Sequence, residues 1–178
     1  MDRPSAKTSR NAWLTLEDAA LLRQCQVDTY RASGPGGQKR NKTSSAVRLR
    51  HQPSGLLAIA EESRSQHENK ARALRRLRMM IALEIRADPS EEDLARSVHP
   101  WRTSAGAIEI SARNPAWPLL AALLLDILHT HAGRTAPAAS IIGVTTAQFT
   151  RFLTSNFKLL AAANRIRAAN SLKPLRDE

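Results

Sequence analysis

Between residues 88 and 93 the chain reads Asp-Pro-Ser-Glu-Glu-Asp, and this short stretch constrains the fold more than any other. Proline disfavours helix at the residue before it, and Ser90 can cap a new helix whose acidic first turn suits the positive end of the helix dipole. The 178 residues are therefore expected to build two small adjoining cores, divided between residues 87 and 88. Charge divides at the same place. Residues 1–87 hold 17 Lys and Arg against 8 Asp and Glu, a net of +9, whereas residues 88–178 hold 10 against 8, a net of +2. An overall charge of +11 and a pI near 11.1 favour a polyanionic partner, for which nucleic acid is a better fit than an anionic membrane. That partner belongs to the first half.

Several classes drop out on composition. The longest apolar stretch, Ala116 to Leu125, is interrupted by Pro118 and stopped by Asp126, short of the roughly 20 residues a membrane-spanning helix needs. Cys25 is the single cysteine, so no internal disulfide can form, and no Cys/His set has zinc spacing. Neither metal nor cofactor is expected, and a reducing cytoplasm fits best. The opening MDRPSAKTSRNA carries Arg3, Lys7 and Arg10 but also Asp2 and no apolar stripe, which argues against a transit peptide. Residues 1–14 are expected to be disordered.

In the first half, Thr15 to Gln24 reads as a short helix capped by Thr15, and Cys25 to Tyr30 as a strand. Ser45 to His51 alternates, with Val47, Leu49 and His51 on one face and Ala46, Arg48 and Arg50 on the other, as in a half-buried strand. Pro53-Ser54-Gly55 suits a hairpin loop leading to a strand from Leu56 to about Ala60. From Ser65 the period becomes helical, with Leu74, Leu77, Ile81 and Ile85 on one face and Lys70, Arg72, Arg75 and Arg76 on others. In the second half, Ala107 to Ser111 is expected to be a short strand and Ala116 to His129 a buried helix. Further helices are expected to begin at Ala138, to run from Thr146 to Leu153, and to run from about Asn156 to Ala169. The turn Gly143-Val144-Thr145 would allow a helix-turn-helix, although plain bundles read the same way.

The stretch from Arg31 to Thr43 sets Gly34, Gly36 and Gly37 around Pro35 and follows them with Gln38, Asn41 and the cations Lys39, Arg40 and Lys42. Glycines permit positive φ and let backbone N–H groups approach a ligand closely, while the cations suit phosphates. By composition alone, a solvated hairpin tip remains an equal alternative.

The context decides between them. SGPGGQ, Asn41-Lys42-Thr43, Ser45-Ala46-Val47-Arg48-Leu49, His51, Ser54-Gly55 and Ser63-Arg64-Ser65-Gln66, with Asn69 and Ala73-Leu74, resemble in order and spacing the catalytic domain of class I peptide-chain release factors, over about residues 25–80. The short chain is more similar to the ribosome-rescue hydrolases of that superfamily than to a full terminator. The fold expected is α+β: the resemblance implies a small GGQ-type α/β sandwich over residues 15–87, and the helical patterns after it give a mainly helical accessory domain over 88–178. The resemblance also implies that Gly36, Gly37 and Gln38 are catalytic in the peptidyl-transferase centre, where water attacks the ester joining peptide to tRNA. The Gln38 N–H would donate to the developing oxyanion or departing 3′ oxygen, its side chain would position water, and ribosomal RNA would supply the rest. Implied partners are the ribosome with its 23S-type rRNA, peptidyl-tRNA, and a glutamine methyltransferase acting on the Gln38 amide. Arg40 departs from the family, in which a small apolar residue usually precedes the Asn.

RNA contacts are expected from Lys39, Arg40, Asn41, Lys42, Arg48, Arg50, Arg64, Gln66, Lys70, Arg72, Arg75 and Arg76, a solvated helix face being the alternative for the last group. His129 and His131 read as surface or capping residues rather than metal ligands, Trp101 and Trp117 as core anchors rather than base-stacking rings, and Cys25 as structural. Rescue hydrolases commonly end in a basic tail, but this chain finishes Arg176-Asp177-Glu178, so the helical half is expected to replace it by docking on another part of the ribosome, on a damaged tRNA or on a partner protein. The function expected is codon-independent peptidyl-tRNA hydrolysis by a monomer, the alternative being a non-catalytic ribosome-binding protein.

Overall fold

The computed structural model describes residues 6–31 and 45–176, which fall into two compact units, Met1–Ile81 and Ala82–Glu178. Helix α1 (Ala6–Thr15) stands where a disordered start was expected. Its Trp13 and Leu14 are buried, and the Trp13 ring meets His51 edge-on at 4.9 Å, so an aromatic anchor outweighs the polar composition of the segment. Thr15 ends this helix instead of capping the next one, because its hydroxyl donates back to the carbonyls of Asn11 and Ala12. Helix α2 (Asp18–Arg23) follows Glu17. Carbonyls at a helix end lack partners, and Arg78 supplies them by donating to Leu14 at 3.1 Å and Leu16 at 2.5 Å while pairing with Asp18 at 2.8 Å.

Strands β1 (Cys25–Tyr30), β2 (Ala46–His51) and β3 (Leu57–Ala60) form an antiparallel sheet in the order β1-β2-β3. The β2 alternation holds from Val47 onward: Val47, Leu49 and His51 are buried and Arg48 and Arg50 exposed, whereas Ala46, expected on the arginine face, is buried as well. Gly55, at φ +73°, closes the β2–β3 hairpin and donates to the His51 carbonyl at 2.7 Å. Helix α3 (Gln66–Glu84) buries Ala73, Leu74, Leu77 and Ile81, which complete the apolar core begun by Val47, Leu49, Ala58 and Ala60. Ile85 falls just beyond the helix and is half-buried.

In the second unit, Ser90 accepts from the Asp93 N–H at 3.1 Å and starts α4 (Glu91–Val98), as expected of an acidic first turn. The expected strand at 107–111 is replaced by a tight turn at Gly106, φ +71°, and one isolated bridge between Arg102 and Ile108. Beside that bridge the Thr103 N–H donates to the Ala107 carbonyl at 2.9 Å and the Glu109 N–H to the Trp101 carbonyl at 3.1 Å, a pairing too short to make a strand. Helix α5 (Trp117–Thr130) is apolar all round and buries every residue from Leu120 to Leu128, so it forms the centre of the unit. Around it pack α4, α6 (Thr135–Ile141) and α8 (Phe157–Ala169), with α7 (Thr146–Thr154) against α6 and α8. Trp117 is buried and stacks on Phe152 at 6.0 Å, as a core anchor should, while Trp101 is half-buried. Buried Asp126 accepts from Arg86 at 3.1 Å and the Ala87 N–H at 3.2 Å. No helix among the described residues is long and apolar enough to cross a membrane.

Candidate functional site

Gly36, Gly37, Gln38, Lys39, Arg40, Asn41 and Lys42 lie outside the described residues. What the structure describes is how the chain on either side of them is held. Tyr30 and Ala46 are paired across β1 and β2, so the segment carrying Gly36-Gly37-Gln38 leaves and re-enters the sheet at the same end.

Each side has its own fastening. On the β1 side, the Tyr30 hydroxyl donates to Glu61 at 3.2 Å, and the Arg48 guanidinium sits 5.1 Å from the centre of the Tyr30 ring. Burial, then the Glu61 charge and hydrogen bond, push the Tyr30 phenol up despite the opposing pull of Arg48, so it stays a donor. On the β2 side, fully buried Asn69 donates to the carbonyls of Ser45 at 2.7 Å and Ser63 at 2.8 Å, and accepts from the Ser63 N–H at 3.0 Å. One amide thereby joins α3, the turn after β3 and the residue that leads into β2. The sequence marks this position: four residues before Ala73, Asn69 is a polar side chain on the stripe that Ala73 and Leu77 continue into the core.

The turn after β3 is a hub of such bonds. Ser63 Oγ donates to Glu68 at 2.7 Å and accepts from the Ser65 N–H at 3.0 Å, and Ser65 Oγ accepts from the Glu68 N–H, which starts α3. Arg76 reaches this turn as well, donating to the Ile59 carbonyl at 2.5 Å and pairing with Glu62. The Arg76 hydrogen bond is the main reason the Glu62 carboxyl is held below the ordinary range.

The remaining cations are not gathered into one cluster. Arg48 and Arg50 stand on the sheet face opposite the buried Val47, Leu49 and His51. Arg64, Gln66 and Arg75 are exposed, Lys70 and Arg72 are half-buried, and Arg72 lies 3.6 Å from Glu68. Arg76 is committed to protein partners, which periodicity alone could not reveal.

His51 is a buried structural node. Its Nε2 donates to Gln24 Oε1 at 3.1 Å and its Nδ1 accepts from Ser54 Oγ at 2.7 Å, an arrangement that uses the neutral ring. Burial lowers its pKa accordingly. Cys25 Sγ donates to the Leu21 carbonyl at 3.3 Å, and burial pushes the thiol up, which suits a structural and not a nucleophilic cysteine. His131 lies 3.5 Å from Glu91, and no group of three metal-ligating side chains occurs among the described residues.

A three-stranded sheet backed by one long helix, with the chain held on both flanks of the glycine-rich segment, defines a small α+β domain. Residues 21–116 match the RF-1 domain, and the chain belongs to that family. It is similar to peptide chain release factor 1 of Leptothrix cholodnii, 50% identical over 72 residues, which are 40% of this chain and 20% of that protein. Peptide chain release factor 1 of Nitrosomonas eutropha is 49% identical over 84 residues, 47% of this chain and 22% of the relative. Peptide chain release factor 2 of Aromatoleum aromaticum is 50% identical over 68 residues, 38% of this chain and 18% of the relative. The chain spans about a fifth of the length of these curated relatives.

Proposed function

We propose that this chain is a release-factor-like hydrolase that frees the nascent peptide from peptidyl-tRNA on the ribosome without reading a stop codon. The observation that carries the reading is the intact Gly36-Gly37-Gln38 triplet within the matched RF-1 domain. Gly36 and Gly37 let the backbone come close to the tRNA terminus, where a Cβ would intrude. The Gln38 N–H donates to the oxygen that gains charge as water attacks, an interaction worth a few kcal/mol in comparable oxyanion sites. The Gln38 side chain positions the water and is a candidate for amide methylation. The surrounding pocket is that of the peptidyl-transferase centre, and the 23S-type rRNA lends its groups to the reaction. Lys39, Arg40, Asn41 and Lys42 beside the triplet, with Arg48, Arg50, Arg64, Lys70, Arg72 and Arg75, hold rRNA phosphates. The protein works as a monomer in the cytoplasm, residues 15–87 forming the catalytic domain and residues 88–178 an accessory domain.

The experiment is peptide release from P-site formylmethionyl-tRNA on 70S ribosomes carrying an mRNA with no stop codon. The protein should release peptide there and leave free peptidyl-tRNA largely intact. Release only when a stop codon occupies the A site would remove codon independence, and efficient cleavage of free peptidyl-tRNA would remove the dependence on rRNA.

A further inference from the structure

From Gly133 to Arg176 the chain holds seven Lys and Arg and no Asp or Glu. The near-neutral balance of the second half conceals this, because all its acidic residues stand before Gly133 or after Arg176. Two of the seven cations are used internally: Arg165 pairs with Glu84 at 2.7 Å, and Arg167 donates to the carbonyls of Gly133 at 2.6 Å and Lys173 at 2.8 Å. Arg151, in the last turn of α7, and Lys158, in the first turn of α8, are exposed and have no acidic partner among the described residues. Between them stands Phe157, 75% exposed, with the Lys158 ammonium 5.7 Å from its ring centre.

Nothing in the local fold requires a phenyl ring at that position. Asn156 already caps α8 by accepting from the Lys158 and Leu159 N–H groups. The apolar faces of the two helices are closed by Phe149, Phe152 and Leu153 on α7 and by Leu159, Ala162 and Ala163 on α8. An exposed ring on a corner whose cations Arg151 and Lys158 have no acidic partner among the described residues complements a polyanion that also offers a flat apolar surface. Single-stranded nucleic acid has both properties, since phosphates pair with the cations and an unstacked base lies on the ring.

We infer that the α7–α8 corner is a second RNA-binding surface, on which Phe157 stacks an unpaired base while Arg151 and Lys158 hold the adjoining phosphates. The order α6, a turn at Gly143 with φ +64°, then α7 is that of a helix-turn-helix, but the deep, narrow major groove of A-form RNA excludes a reading helix. Contact through the exposed corner avoids that obstacle. The choice of RNA over DNA rests on the proposed ribosomal function.

The test uses the full chain and three fluorescent probes: an RNA hairpin with a four-nucleotide 3′ overhang, the same hairpin without the overhang, and the overhang hairpin in DNA. Phe157→Ala should weaken binding of the overhang RNA about tenfold, within the range for a base stacked on an aromatic ring, and leave the blunt hairpin within about twofold. Phe157→Tyr should restore binding. Replacing Arg151 and Lys158 with Gln should lower the salt slope by roughly 0.7 per lost contact, as for single strands. A 4-thiouridine placed in the overhang should crosslink to the peptide that contains Phe157. Unchanged affinity in a folded Phe157→Ala protein, or equal loss on overhang and blunt RNA, overturns the stacking. Equal binding and equal loss on the DNA probe overturns the assignment to RNA. None of these readouts involves hydrolysis, so a failure of the peptide-release assay would count against the proposed function and leave this result standing.

Discussion

Replacing Asn69 with Ala should both destabilise the first unit and slow peptide release. The substitution removes three hydrogen bonds of 2.7, 2.8 and 3.0 Å and leaves two carbonyls and one N–H of Ser45 and Ser63 without their partner. At about 1 kcal/mol net for each bond, with the orphaned groups adding to the loss and water at the half-buried serines recovering part of it, the cost is roughly 2–3 kcal/mol. For a unit of this size that corresponds to a fall in Tm of roughly 10–20 °C. Asn69→Asp should be no better, because it keeps only the bond from the Ser63 N–H and buries a charge. Peptide release, measured well below the new Tm, should slow roughly ten- to a hundredfold, since ångström-scale misplacement of a reacting group has effects of that order. Urea and thermal denaturation followed by circular dichroism, alongside single-turnover release, give both numbers. An Asn69→Ala protein within about 0.5 kcal/mol of the parent, the noise of ordinary surface substitutions, would rule out Asn69 as the clasp between Ser45 and Ser63, and normal release from a clearly destabilised one would separate that clasp from catalysis.

Gly36→Ala and Gly37→Ala should each abolish release while leaving ribosome affinity nearly intact, whereas Gln38→Ala should keep slow hydrolysis and admit other nucleophiles; full activity with Gly37→Ala would place the chemistry elsewhere. Arg75→Ala and Arg76→Ala should behave differently although they are neighbours. The exposed Arg75 should flatten the salt dependence of ribosome binding by about 0.7–0.9 of a unit, and Arg76, tied to Ile59 and Glu62, should mainly lower stability. Equal slope changes for both would contradict that division. Burial lowers the His51 pKa, so the unfolded chain takes up the proton more readily than the folded one. This contribution to stability is whole above the unfolded value of about 6.5 and declines as pH falls from there toward the lower folded value. A urea-midpoint profile from pH 7.5 to 4.5 should show that decline in the parent and a shallower one in His51→Gln, and parallel profiles would remove His51 as its source.

Much of this protein is fixed by local sequence. The period-two alternation through Val47, Leu49 and His51 identified the buried face of β2, because every side chain of a strand is assigned to one side or the other by parity. Pro53-Ser54-Gly55 marked the hairpin through the positive φ of Gly55, and Ser90 marked the start of α4 through the N–H it could accept. The apolar stretch from Ala116 to Leu125 announced a buried helix, and α5 buries every residue from Leu120 to Leu128. The Gly36-Gly37-Gln38 triplet and the ordered motifs around it pointed to the family that the match over residues 21–116 establishes.

Tertiary structure decided what depends on partners far along the chain. Residues 6–15 fold because Trp13 finds His51 and because Arg78, from α3, satisfies the carbonyls at the end of α1. Residues 107–111 do not form a strand because their backbone pairing is confined to one bridge, Arg102 to Ile108, and the two bonds beside it, from the Thr103 N–H to Ala107 and from the Glu109 N–H to Trp101, too short a run to make a ladder. Periodicity put Arg72, Arg75 and Arg76 on the surface alike, but only packing committed Arg76 to Ile59 and Glu62. It likewise turned Asn69 inward onto Ser45 and Ser63 and left Phe157 facing water. Period and propensity act over a few residues, whereas a polar side chain's partner is settled only when the fold brings distant segments within hydrogen-bond reach.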